Sequence, residues 1–100
     1  MSTPAQEAFA EGFEARFEVH GSLWTIGTAL LRGIASTLKP DDPRMPASGD
    51  RLLDVECLTS ELPSPAPARG GELVRAGKFH RIVRVDSDEA TGATSILVTA

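Results

Sequence analysis

The sequence predicts a mainly β fold: a small antiparallel β-barrel or sandwich of six to seven strands, with a short N-terminal helix and two long loops. Three observations carry that reading. Apolar and polar residues alternate over short runs, which is the period of a half-buried strand. Turn signals such as Gly21-Ser22, Gly27-Thr28 and Ala76-Gly77-Lys78 separate those runs. The last third, from Glu72 to Val98, reads as strand, turn, strand, loop, strand, an antiparallel meander. One hundred residues make a single domain, 1–100, with a modest core.

Taken in order, Thr3-Pro4-Ala5-Gln6 looks like a helix start. Thr3 suits the cap, Pro4 the first helical position, and Gln6 completes a capping box. Gly12 weakens a helix by about 1 kcal/mol relative to Ala, so the helix is expected over about 4–12. Phe13, Ala15, Phe17 and Val19 then alternate with Glu14, Arg16, Glu18 and His20. The i, i+4 spacing of Phe9, Phe13 and Phe17 also fits a continuing helix. The strand reading is preferred from about Ala15, because Gly21-Ser22 follows as a two-residue hairpin turn. The barrel is expected over about 15–99.

Leu23 to Ile26 is the return strand, and Gly27-Thr28 is a bulge or a second turn. Ala29 to Thr37 contains Leu30, Leu31, Gly33 and Ile34, and strand competes with helix there. Pro40 closes it, and 39–50 is a loop by its prolines, aspartates and Gly49. Arg51 to Leu58 alternates as a strand. The second loop, 61–70, holds Pro63, Pro65 and Pro67, a stiff extended segment unsuited to a sheet interior. Phe79 to Val85 and Thr94 to Val98 are the last strands, around a polar loop from Asp86 to Gly92.

The hydrophobic fraction of 41% is that of a globular chain. A net charge of −4 disfavours a free-standing nucleic-acid binder, which must neutralise phosphates. No apolar run approaches bilayer-spanning length, and the acidic, alanine-rich N-terminus lacks the basic start of a signal peptide. Cys57 stands alone, which leaves no internal disulfide and favours a reducing compartment. A soluble, cytoplasmic protein is the expectation.

Residues that carry chemistry are few. His20 and His80 have no Cys or His partner at metal-ligand spacing, and both read as strand-surface histidines. Cys57 reads as a half-buried strand cysteine with no basic neighbour to activate it. Asp86–Gly92 is oxygen-rich but lacks an oxygen ligand at Ala90, so a solvated hairpin loop is favoured over a calcium loop. No catalytic residue, cofactor or metal site is expected, and the chain does not read as an enzyme. Positive charge does concentrate, in Arg69, Arg75, Lys78, Arg81 and Arg84. A solvated strand face competes there with a basic patch, centred on Arg75, Lys78, Arg81 and Arg84, that faces DNA or an acidic partner.

Several features together resemble the head–tail joining (head completion, or stopper) proteins of long-tailed bacteriophages, the phage lambda type. They are the acidic, alanine-rich N-terminal segment, then Leu31-Arg32-Gly33-Ile34, and the loop Lys39-Pro40-Asp41-Asp42-Pro43. The ending adds most: Gly71-Glu72-x-Val74-x-x-Gly77-x-Phe79-His80, an aliphatic pair, Val85-Asp86, a turn with Gly92, then Ile96-x-Val98. The resemblance covers roughly Phe17 to Val98. It implies a non-enzymatic β-barrel subunit of a ring in the virion neck, assembled in the host cytoplasm. Such a ring joins the portal or adaptor to the tail, helps retain packaged DNA, and touches that DNA non-specifically. The implied partners are further copies of itself on a template, the portal or adaptor, and tail proteins, with no membrane. Loop residues Lys39, Asp41, Asp42, Arg44, Asp50 and Arg69 are then the candidates to reach the lumen or the neighbouring ring. A small cellular barrel that binds a protein or ligand is the alternative from a different class.

Overall fold

The computed structural model describes residues 3–46 and 51–100. Helix α1 spans Pro4–His20 and is followed by six strands: β1 (Ser22–Ile26), β2 (Ala29–Thr37), β3 (Leu52–Leu58), β4 (Glu72–Arg75), β5 (Lys78–Asp88) and β6 (Ala93–Thr99). A short 3-10 turn, Thr59–Glu61, leaves β3. The strands form a closed antiparallel barrel in the order β1-β2-β3-β6-β5-β4. A single paired position, Thr25 with Val74, closes it between β1 and β4.

The helix begins as its sequence suggests. The Gln6 amide donates to the Thr3 hydroxyl at 3.2 Å, and the Thr3 amide donates to the Gln6 side-chain carbonyl at 3.0 Å. It does not stop at Gly12. The strand expected from Ala15 is instead helix, and the hairpin turn lies at Gly27-Thr28, not Gly21-Ser22. Period-two alternation of Phe13 and Phe17 is also i, i+4 spacing, and packing decides between the two. Phe9, Phe13 and Phe17 stack along the helix with centroids 6.2 and 6.0 Å apart. Phe13 is wholly buried, and the helix packs on β2 and β3. Gly21 is extended, so it is there for room: a Cβ would lie 2.0 Å from the Phe17 ring.

Every strand sends side chains into the barrel. Trp24, Leu31, Val55, Cys57, Leu73, Ile82, Ile96 and Val98 form the central cluster. A second cluster lies outside the barrel, where Leu38, Leu52 and Leu97 pack with Met45 and Val83. It explains the unbroken apolar run Ile96-Leu97-Val98. Ile96 and Val98 face inward, and Leu97 faces outward under the loop that carries Met45. Val83, next to the inward Ile82, turns outward and joins that outer cluster. Strand β5 continues to Asp88, so the loop expected from Asp86 shortens to 89–92.

His80 corrects a second expectation, for it is not a surface residue. It is buried in the barrel, its Nδ1 lies 2.7 Å from the Thr99 carbonyl oxygen, and its ring meets Trp24 edge-on at 5.3 Å. His20 sits in the last turn of α1, not on a strand. Cys57 is fully buried rather than half-buried.

Candidate functional site

The loop after β2 is held to the barrel by Arg44. Its guanidinium donates to both carboxylate oxygens of Asp42, to Asp54 on β3 at 3.1 Å, and to the Ser95 hydroxyl on β6 at 3.0 Å. Ser95 in turn donates to Asp54 at 2.5 Å. Arg44 beside Asp42 holds that carboxyl below its usual range. Asp42 and Arg44 therefore pair with groups of their own molecule. Lys39 and Asp41 are exposed on the same loop. Asp50, with the rest of 47–50, lies outside the described residues.

The five basic residues of the last third do not form one patch. Arg75 and Lys78 are cross-strand partners at the β4–β5 turn. Arg75 lies 4.3 Å over the Trp24 ring and closes that end of the barrel. Arg81 stands on β5 opposite Glu72. Arg84 lies beyond the register shift and pairs with Asp86 at 2.7 Å. Arg69, on the proline-rich segment, shares with Arg44 and Arg84 an open groove of ≈ 690 Å³ floored by Pro67, Val83, Val85 and Leu97. Among the described residues, no carboxylate lies within ion-pair distance of Arg69, Arg75, Lys78 or Arg81.

A feature missed by the sequence reading is apolar. Phe79 pairs with Val74, Val74 with Thr25, and Thr25 with Leu30, so four consecutive cross-strand partners cross β5, β4, β1 and β2 on the outer face. Phe79 and Leu30 are each 67% exposed, and Leu23, two residues from Thr25 on the same face, is 56% exposed. In the sequence Leu23 and Leu30 sit beside other apolar residues, Trp24 and Leu31, and Phe79 stands between Lys78 and His80. Only the strand register, with β4 brought beside β1, lines them up.

Where α1 meets the barrel, Arg32 is the hub. It donates to both carboxylate oxygens of Glu14, at 2.8 and 2.7 Å, and to both of Glu61. Its guanidinium also lies 5.5 Å from the Phe13 centroid and 5.3 Å from that of Phe17. Arg16 on the helix pairs with Glu56 on β3 at 2.5 Å. These contacts fix the helix to the barrel; they assemble no reactive group. Among the described residues no cluster of three metal-ligating side chains occurs, and no helix is long and apolar enough to cross a membrane. A comparison with protein-family models gives no match, and neither does one with curated proteins.

Proposed function

We propose that this chain is a structural subunit of a tailed-phage neck, a head–tail joining or stopper protein that links the portal or adaptor to the tail and helps retain packaged DNA. The observation that carries the reading is the order of residues from Gly71 to Val98, with its resemblance to that family. Those residues make β4, the Ala76-Gly77 turn, β5 and β6, half of the barrel. A row with exposed Phe79 and Leu30 at its ends, half-buried Val74 and Thr25 between them and exposed Leu23 beside it supports a role in association, since exposed apolar area marks contact surfaces. The chemistry in hand supports that class too: the ionisable groups that come together are Arg–carboxylate pairs that hold loops and the helix in place.

Deletion of the gene from a phage that carries it tests the proposal. The expected outcome is DNA-filled heads without tails, heads that leak their DNA, and free tails, all rescued by adding the purified protein. Tailed, infectious particles formed without the protein would overturn it and favour the cellular binding module.

A further inference from the structure

We infer that the apolar row Phe79–Val74–Thr25–Leu30 and the glutamate stripe of α1 are the two halves of one head-to-tail interface between copies of this chain. The inference rests on the ring-subunit reading and names the surfaces that such a ring would use.

The first half is the outer row. Strands lie about 4.8 Å apart, so four cross-strand partners span roughly 14 Å, and Leu23 widens the row at the β1 end. Single exposed apolar residues are ordinary, but three of them, Phe79, Leu30 and Leu23, on one face joined by half-buried Val74 and Thr25 are not. Its Phe79 end is flanked by Lys78 and Arg81, two exposed cations with no carboxylate partner among the described residues.

The second half is on the helix. Glu7, Glu11, Glu14 and Glu18 recur at i, i+4, i+7 and i+11, which places them on one stripe. Glu14 is taken by Arg32. Glu7, Glu11 and Glu18 are exposed and make no ion pair among the described residues. Val19 beside them is 73% exposed and adds apolar area.

Complementarity selects a second copy as the occupant. Charge left over after internal pairing is net positive beside the row, where Arg75, Lys78 and Arg81 outnumber Glu72, and negative along the helix. The two patches lie on different elements: the glutamates on the helix, which packs on β2 and β3, and the row on the strands from β5 across β4 and β1 to the start of β2. Two different patches meeting between copies make a heterologous contact, which closes into a ring or grows. A stable interface covers about 800 Å² per partner, and the row alone is smaller, so the contact is weak until a template holds subunits side by side.

The test is an NMR dilution series on the full chain at low salt, up to millimolar concentration. Amides around Leu23, Leu30 and Phe79 and those around Glu11 and Glu18 should shift together, and added salt should suppress both sets. The double variants Lys78→Glu/Arg81→Glu and Glu11→Lys/Glu18→Lys, each checked for unchanged circular dichroism, should weaken self-association by about tenfold or more. Mixing the two should restore pairing, because each keeps one intact half. Shifts confined to the apolar row would mean that the row pairs with itself. That result would overturn the inference, as would an unassociated mixture or shifts at the hairpin only with duplex DNA. Particles that need the protein yet tolerate both double variants would remove this interface and leave the neck reading standing. Head-to-tail pairing in a protein that particles can do without would do the reverse.

Discussion

Gly33 lies directly beneath the Trp24 indole: a Cβ on Gly33 would sit 3.0 Å from two atoms of that ring and 2.6 Å from Cγ1 of Val55. The glycine in β2 is thus the space that the buried tryptophan occupies. Gly33→Ala should cost about 1–3 kcal/mol by overpacking. Trp24→Ala should cost about 3–5 kcal/mol by leaving a cavity. The indole N–H is buried without a hydrogen-bond partner among the described residues, so Trp24→Phe, which removes it, should cost less than Trp24→Ala. Urea unfolding followed by circular dichroism measures all three. The native tryptophan emission should be blue-shifted, and red-shifted emission from the folded protein would contradict the burial.

Arg32 should govern how firmly the helix holds. Arg32→Ala removes charge-assisted bonds to Glu14 and Glu61 and the cover over Phe13 and Phe17, a loss of about 2 kcal/mol. Arg32→Lys should recover only part, since it lacks the planar fork. The pH dependence has a definite sign. The Arg32 guanidinium holds the Glu14 carboxyl below its ordinary value of 4.5. A depressed carboxyl stabilises the fold above its unfolded value, and that contribution is lost as the pH falls toward the folded one. Acid below about pH 4.5 should therefore loosen the helix in the wild type and change little in Arg32→Ala. Hydrogen exchange of the α1 amides across that range is the measurement.

The barrel was legible in the sequence because its signals are local. Alternation marked β3, turn residues bracketed β4 and β5, and the prolines kept 61–70 out of the sheet. The helix end was not legible, since Phe13 and Phe17 satisfy both periods and only their packing under Arg32, with Phe13 wholly buried, selects the helix. His80 was misplaced for a similar reason: its position on β5 was right, but nothing local shows that Thr99 supplies a carbonyl and Trp24 an aromatic wall. The basic residues were read as one cluster because they are close in sequence. The register shift after Ile82 and the alternation of faces disperse them. Pairing between β1 and β4, remote in sequence, creates the apolar row.

The β4–β5 turn is suboptimal and open to improvement. Ala76 and Gly77 have φ of 52° and 79°, so both central residues are left-handed. That geometry suits Asn-Gly, whereas Ala carries a steric penalty there. Ala76→Asn should stabilise the protein by about 0.5–1 kcal/mol, and Gly77→Val should destabilise it by more than that. Thermal melts resolve both signs.

Cys57 should be inert in the folded state. Burial pushes its thiol up to about 12, and Glu61, Glu56 and Asp54 reinforce the shift. A thiol-labelling reagent at pH 8 should react only at the rate of unfolding, and denaturant should expose the single thiol. The folded value lies above the ordinary 9.0, so the thiol's contribution to stability is complete below pH 9 and is lost as the pH rises from 9 toward 12. Cys57→Ser should remove that alkaline loss while lowering stability at neutral pH.

Residues 39–46, after β2, should be ordered in the isolated protein. Arg44 bridges them to Asp54 and Ser95, and Met45 covers Leu97 and Leu52. A loop with so many fixed bonds has already met its ordering cost within the monomer. Arg44→Ala leaves Asp54 without its cation and frees the loop, so its cost should be about 1–3 kcal/mol. Hydrogen exchange should show protection at Met45 in the wild type and fast exchange in Arg44→Ala, with the central barrel cluster unchanged in both. Equal, fast exchange of this loop in the two proteins would show that the Arg44 bridge does not hold it. Asp54→Asn keeps the shape but removes the charge and should give an intermediate result, because Asp42 still pairs with Arg44.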